Sequence, residues 1–181
     1  TGLGSVSPLG LTVHETWDSC LESKSGVGPI TLFDSSDYLV QIACEVKNFN
    51  PKLYMSAAQA RRRDRCQQLA TAAAQEALAH SGLEITERNS EKIGTIVSSA
   101  IGGLTTLEQG TKTIMASGPR RVSPFTIPML MPNGASGLIA IDSGARGPAL
   151  SVSSACASGS DGIGLAWQLI RAGVLDVAIA G

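Results

Sequence analysis

Cys156 is the residue of this sequence best placed to act as a nucleophile. It lies in the segment Ser153-Ser-Ala-Cys-Ala-Ser-Gly-Ser160, between an apolar stretch typical of a buried strand and the start of a helix rich in small residues. Unpaired N–H groups and the dipole at a helix N-terminus stabilise a thiolate over a thiol. The same N–H groups can form part of an oxyanion hole. The pattern predicts a reactive thiol, and a buried structural cysteine is the alternative.

A cluster of arginines is the second group with a chemical use. It falls within five residues near the start of a predicted helix and consists of Arg61, Arg62, Arg63 and Arg65. At this spacing the side chains fan around a helix instead of lining one face. The cluster is either a solvated helix end or a cationic surface that attracts an acidic partner. Asp64 and Arg65 are expected to form internal polar contacts.

No group of residues has the spacing of a metal site. The four cysteines include no C-x-x-C pair, and the chain has only two histidines. His14 falls in the first turn of one predicted helix and His80 in the last turn of another, where a structural or solvated role is expected. Cys20, Cys44 and Cys66 lie on apolar faces and are predicted to be core residues.

The elements that must position Cys156 alternate between strand and helix. Strands are predicted over 40–46, 93–98, 149–154 and 176–180, and one long helix from a cap near Ser56 to a stop at Gly82. The inner face of this long helix is predicted to consist of Cys66, Leu69, Ala73 and Ala77. A helix after Gly103 carries an apolar face with Leu104, Leu107, Thr111, Ile114 and Met115. A further helix, ending at Gly173, is predicted to bury Ile163, Ala166, Trp167 and Ile170. This alternation predicts an α/β fold with a mostly parallel sheet.

Composition narrows the class of protein. The 181 residues are 43% hydrophobic and 16% charged, with a net charge of −1. These values exclude a disordered chain and do not suit nucleic-acid binding. No apolar run approaches the roughly 18 residues of a membrane span. Without a recognisable signal peptide or disulfide framework, a reducing compartment is expected: the cytoplasm, with a plastid or mitochondrial matrix left open.

Several motifs together resemble one family. The segment Ser154-Ala-Cys-Ala-Ser-Gly159, followed by Asp176-Val-Ala-Ile-Ala-Gly181, resembles the active-site stretch of the β-ketoacyl-ACP synthases, condensing enzymes of the thiolase superfamily. The resemblance extends in order over residues 1–181 and is greatest to the elongating, 3-oxoacyl-ACP synthase II type. Its other motifs are Thr1–Gly10, Ser25–Asp34, Arg62–Arg65, Ile101–Leu104, Gly118–Phe125 and Met131–Ala135.

The resemblance implies a fold and the roles of the catalytic residues. Residues 1–181 would form the N-terminal half of a duplicated, layered α/β fold of the thiolase type. Cys156 would carry the acyl chain as a thioester, which a decarboxylating malonyl-carrier thioester then lengthens by two carbons. The family uses two histidines of its C-terminal half for this step. We therefore expect the 181 residues to come from a longer chain and not to condense substrates alone.

The resemblance also assigns binding residues. Arg61 and Arg62 match carrier-protein contacts, although a neighbouring position that is often basic is Ala58 here. Ile101 matches a residue of the acyl pocket. Phe125 and Thr126 match a pair that is often Phe-Phe, whose second ring reaches the pocket of the partner subunit. Thr126 departs from that pattern and leaves the acyl preference open.

The implied partners are an acyl carrier protein and a second copy of the chain, in a homodimer. No metal or resident cofactor is implied, because the substrates are carried on the phosphopantetheine of the acyl carrier protein. Alternatives from other classes are a polyketide ketosynthase domain, a thiolase using coenzyme A, a non-catalytic carrier-binding half-domain and a redox thiol protein. Cys156 argues against the silent chain-length factors, which lack this cysteine.

Overall fold

The structure is a computed structural model that describes all of residues 1–181. The chain forms seven helices and five strands. The strands are β1 (Gly28–Pro29), β2 (Ile42–Ala43), β3 (Ile93–Ile96), β4 (Ala149–Leu150) and β5 (Val177–Ala180). The helices are α1 (Val13–Leu21), α2 (Ala57–Ala60), α3 (Arg65–Ser81), α4 (Leu104–Ser117), α5 (Thr126–Leu130), α6 (Gly134–Ser143) and α7 (Ser158–Arg171).

A three-stranded parallel sheet forms the centre of the fold. Its order is β4-β3-β5, with Thr95 paired to Ala149 and Ile93 to Val177. All four residues of β3 are buried, as expected for the middle strand of a parallel sheet covered on both faces. The prediction of a mostly parallel sheet is confirmed, although β4 contains only two residues and not the six that the apolar run suggested.

Helices cover the two faces of this sheet. Successive side chains of a strand point to opposite faces. Thr95 donates to the backbone oxygen of Ser136 in α6, whereas Ile96 packs with Ala166 of α7 and with Leu175. Helix α6 therefore lies on one face of the sheet and α7 on the other, and α3 packs against α6.

The segment from Ser56 to Gly82 is two helices and not the single helix predicted. Ser56 caps α2 and Asp64 caps α3, each in a reciprocal hydrogen-bond pair with the glutamine three residues on. A second capping residue inside the segment starts a new helix, because its side chain takes the place of an intrahelical bond. Gly82 ends α3 in a left-handed conformation, as predicted.

An ion pair between a buried arginine and a partly exposed aspartate lies at the junction of the two helices. The Arg63 guanidinium donates to both carboxylate oxygens of Asp142, at 2.6 and 2.8 Å, and to the Thr71 hydroxyl at 3.0 Å. Arg63 is buried, so it does not join its neighbours Arg61 and Arg62 at the surface. Helix α3 accordingly turns its polar positions inward: its buried residues are Gln67, Thr71, Ala72 and Ala74, and not the predicted face of Cys66, Leu69, Ala73 and Ala77.

Two predicted apolar faces are exposed. Helix α4 buries no residue, and Leu104, Leu107, Ile114 and Met115 all face solvent. Helix α7 buries Ser158, Gly162 and Ala166, and leaves Ile163, Trp167 and Ile170 exposed. Ala166 is buried as predicted, but the prediction was wrong for the large residues of both faces. In α7, small residues allow the helix to lie close to the sheet: a Cβ at Gly162 would collide with the Ser98 side chain.

Two further predictions are corrected near the N-terminus. The alternating stretch 40–46 forms only the two-residue strand β2, antiparallel to β1, and Ile42 is exposed. Cys20 and Cys44 are exposed and not core residues, and Cys66 is half-buried.

Every helix is too short or too polar to cross a membrane.

The Arg63–Asp142 pair predicts a specific stability pattern. Asp142→Ala leaves a buried guanidinium without its counter-charge and should lower the free energy of unfolding by about 3 kcal/mol. Replacing both partners, as Arg63→Met with Asp142→Leu, should recover most of this loss because no charge is then left buried. Urea unfolding measures both, with Asp37→Ala, a change at an exposed carboxylate, as the control. Equal losses in the single and double variants would contradict the prediction.

Candidate functional site

Cys156 lies on a tight turn between strand and helix, as predicted. The chain runs without regular secondary structure from the end of β4 through Ser151–Ser154, turns in a single 3-10 turn over Ala155–Ala157, and enters α7 at Ser158. The side chain of Cys156 is exposed. The residue before it, Ala155, has a φ of 53°, one of only three non-glycine residues with a positive φ in the chain. The thiol is therefore presented to solvent by a strained turn.

The turn is closed by polar side chains of α7. The hydroxyl of Ser158 accepts from the N–H of Ser154 at 3.0 Å and donates to the oxygen of Ala155 at 2.7 Å. The hydroxyl of Ser154 donates to the carboxylate of Asp161 in the first turn of α7. These bonds fix the orientation of the turn relative to the helix axis.

The electrostatic setting distinguishes Cys156 from the other exposed thiols. Helix α7 has 14 residues, and its N-cap is Ala157, whose side chain cannot accept from the first N–H groups. The positive end of the helix dipole therefore faces the turn that carries Cys156. Cys20, by contrast, lies in the last turn of α1, at the negative end of a helix. Of the three exposed thiols, only Cys156 lies at the N-terminal end of a helix.

Cys66 is protected from reaction by its surroundings. Burial, followed by the charge of Asp64 and a hydrogen bond to it, raises the pKa of the Cys66 thiol from 9.0 to about 12. Cys66 is the second residue of α3, and its own N–H donates to the N-cap residue Asp64 at 3.1 Å. The neutral thiol is thus the form present at physiological pH, and it is a poor nucleophile.

The loop that carries Ile101 runs beside the segment that leads to Cys156. The N–H of Val152 donates to the Ser98 hydroxyl at 3.2 Å, and the Ser153 hydroxyl donates to the oxygen of Ser99 at 3.0 Å. The loop then turns at Gly102, whose φ is 82°. Ile101 is 59% exposed at this turn. The predicted nucleophile and the predicted acyl-pocket residue are therefore on adjacent segments.

Phe125 and Thr126 lie with the arginines. The Arg62 guanidinium stacks over the Phe125 ring, 4.5 Å from its centroid. Thr126 and Arg61 both line a cavity of about 370 Å³ between the α2–α3 junction and α4, which Cys156 does not line. The structure thus joins the predicted pocket pair to the predicted carrier-binding pair, and the substrate-binding role of Phe125 and Thr126 stays a prediction.

The arginine cluster divides into two inward and two outward side chains. Arg61 and Arg62 are exposed, as a docking role requires. Arg63 pairs with Asp142 as described, and Arg65 donates to the oxygen of Val46 at 2.9 Å. Asp64 is buried and accepts from the N–H and hydroxyl of Thr106, at 2.9 and 2.6 Å. The expected internal contacts of Asp64 and Arg65 are confirmed.

Sequence reasoning missed two residues near these sites. Arg121 lines the cavity beside Arg61, and its signal was available in the Gly118–Phe125 motif. Ser158 lies in the segment around Cys156, but the sequence gives no sign that its hydroxyl bridges the turn. The two histidines lie at helix ends as predicted: His14 is 3.3 Å from Asp18, and His80 accepts from the N–H of Leu3.

Known proteins resemble this chain in sequence and in architecture. The chain matches the family model described as Beta-ketoacyl synthase, N-terminal domain, over residues 1–181. Over its whole length it is 42% identical to 3-oxoacyl-[acyl-carrier-protein] synthase 2 of Staphylococcus aureus and 41% identical to the Synechocystis protein of that name. It covers 45% and 44% of these proteins, a little under half of their length. The structure of the ishigamide ketosynthase/chain length factor matches 98% of this chain and 45% of its own, with a TM-score of 0.86 and 29% identity.

The placement of the four thiols predicts their order of alkylation. At pH 8 iodoacetamide should label Cys156 first, Cys20 and Cys44 more slowly, and Cys66 at least about tenfold more slowly than Cys156, because reaction needs the thiolate. Peptide mass spectrometry of the folded protein measures all four rates. In urea the burial that raises the pKa of Cys66 is lost, and its rate should rise to that of Cys20. Equal labelling of the four thiols in the folded protein would contradict the prediction.

Proposed function

Since the chain belongs to the β-ketoacyl synthase family, whose N-terminal domain it matches throughout, we propose that its protein is a 3-oxoacyl-[acyl-carrier-protein] synthase. This acyltransferase would lengthen acyl chains during fatty acid synthesis. The observation that carries the proposal is the exposed Cys156 on a strained turn at the N-terminal end of α7. The identity of 42% to a protein named 3-oxoacyl-[acyl-carrier-protein] synthase 2 supports the same reaction.

Cys156 acts first as a nucleophile. Its thiolate attacks the carbonyl carbon of an acyl-carrier thioester, and the bond between that carbon and the carrier sulfur breaks. The carrier leaves as a thiol after taking up a proton, and the acyl group remains on Cys156. Backbone N–H groups at the start of α7 stabilise the oxyanion that forms during this attack.

Condensation then returns the thiolate. A malonyl-carrier thioester loses its carboxylate as CO2, and the electron pair of the broken C–C bond forms a carbanion at the α-carbon. This carbanion attacks the acyl carbon on Cys156, and the C–S bond breaks to release a 3-oxoacyl-carrier two carbons longer. His14 and His80 have no part in this step, because each is bound at the end of a helix remote in sequence from Cys156.

The outward arginines receive the carrier. Arg61 and Arg62 lie on one exposed junction between α2 and α3, where no carboxylate of the chain pairs with them. An acidic carrier would be steered to this surface by charge. The stack of Arg62 on Phe125 supports a docking site next to Phe125, which together with Ile101 and Thr126 is predicted to bind the acyl chain.

A second copy of the protein completes the assembly in this proposal. The exposed apolar stripe of α4, with Leu104, Leu107, Ile114 and Met115, supports a homodimer, since an uncovered stripe of this kind favours association. No metal or resident cofactor enters the reaction, because the carrier brings both substrates. The four free thiols suit the reducing conditions of the cytoplasm.

The role of Cys156 predicts a covalent intermediate. Intact-mass spectrometry of the protein after incubation with acyl-carrier should show the mass of one acyl group, located on the Cys156 peptide. Cys156→Ala should abolish both this adduct and condensation, because no other exposed thiol lies at the N-terminal end of a helix, where N–H groups stabilise the oxyanion. Cys44→Ala, a change at another exposed thiol, should leave both intact. An acyl adduct on Cys156→Ala would contradict the assignment.

The carrier surface predicts a charge-specific loss of binding. Arg61→Glu with Arg62→Glu should weaken carrier binding by about tenfold at low salt and flatten its salt dependence, because steering by charge is lost. Alkylation of Cys156 should not change. The matched control is Lys52→Glu with Arg88→Glu, which alters net charge equally at exposed sites elsewhere. If both pairs weaken binding equally, the surface is only a solvated helix end.

A further inference from the structure

A single buried hydroxyl controls the turn before Cys156. Ser158 is 4% exposed, and its hydroxyl joins the N–H of Ser154 to the carbonyl oxygen of Ala155. These two backbone groups lie on either side of the φ and ψ torsions of Ala155. The bridge therefore restrains the torsions that set the direction in which the chain enters Cys156.

The restrained residue, Ala155, has a backbone conformation that is unfavourable for a residue with a Cβ. Ala155 has a φ of 53°, in the left-handed region that a Cβ disfavours. A residue stays there only where its surroundings over-determine it. If the bridge were absent, Ala155 would relax toward negative φ, and the backbone of Cys156 would rotate with it. The position of the thiol thus depends on a local constraint.

The bridging hydroxyl is itself firmly anchored. Ser158, Gly162 and Ala166 are spaced by four along α7 and form its buried face. Ala166 packs on Ile96 of β3, and Gly162 lies against the Ser98 side chain. The sheet therefore fixes α7, and α7 fixes the hydroxyl. The bond from Ser154 to Asp161 is exposed and does not provide an equally rigid support.

We propose that Ser158 is a positioning residue for the nucleophile. Its hydroxyl holds Ala155 in the left-handed conformation, so that the Cys156 thiol stays at the N-terminal end of α7. The proposal rests on the proposed function only in taking Cys156 as the nucleophile. It predicts that the hydroxyl controls the reactivity of the thiol and not merely the stability of the helix.

The first test removes the hydroxyl. Ser158→Ala should slow the alkylation of Cys156 by iodoacetamide about tenfold, since release of this kind of backbone strain is worth about one decade in rate. The matched control is Ser160→Ala, which removes an exposed hydroxyl two residues further along the same helix. Peptide mass spectrometry gives the rate at Cys156, and urea unfolding confirms that each variant is folded under the labelling conditions.

The second test relieves the strain at its source. Glycine adopts positive φ without a steric cost. Ala155→Gly in the Ser158→Ala background should therefore restore most of the lost alkylation rate. A hydroxyl that only stabilised the fold would give no such rescue, because glycine adds flexibility and no contact.

These measurements separate the outcomes. The proposal is supported if Ser158→Ala slows labelling of Cys156 and Ala155→Gly restores it. It is overturned if Ser158→Ala labels as fast as Ser160→Ala while only its urea midpoint falls, or if glycine restores nothing. Alkylation is measured at the thiol itself and does not require acyl transfer. A failure of acyl transfer would therefore refute the proposed function without deciding whether Ser158 positions Cys156.

Discussion

An arginine that is buried must be paired, and much of the structure follows from how Arg63 meets this requirement. Its guanidinium binds the Asp142 carboxylate at two points and so fixes the α2–α3 junction against α6. With Arg63 turned inward, Arg61 and Arg62 are left at the surface, and Asp64 is placed to cap α3 and bind Thr106 at the start of α4. One ion pair thereby positions the charged surface and two helices.

The position of Cys156, the proposed nucleophile, depends on a different constraint, the close packing of small residues. Gly162 lets α7 lie against the end of β3, and this contact directs the N-terminal end of the helix at the turn over Ala155–Ala157. A larger residue at 162 would move the helix away from the sheet, together with the turn that carries Cys156. The position of the thiol thus also depends on a residue that has no side chain.

The sequence predicted the family, the α/β fold and the strand-to-helix placement of Cys156, and the comparisons confirm the family and the fold. These features depend on residues that are close together in the sequence, or on motifs that extend along the chain. The buried faces of α3, α4 and α7 were mispredicted, because hydropathy ranks Leu, Ile and Trp above the Gly, Ser and Thr that pack in this structure. The partner of Arg63 lies 79 residues away, and periodicity carries no signal of such a contact.

The connectivity of the sheet also has a consequence for how the chain reaches its native state. The central strand β3 ends at Ile96, but its two partners begin at Ala149 and Val177. Parallel pairing of this kind requires long loops to close before the stabilising contacts between strands can form, and such topologies fold slowly. During synthesis on the ribosome, the apolar β3 remains without either neighbour until much later residues have emerged. This interval is when the nascent chain is most open to aggregation and most dependent on chaperones.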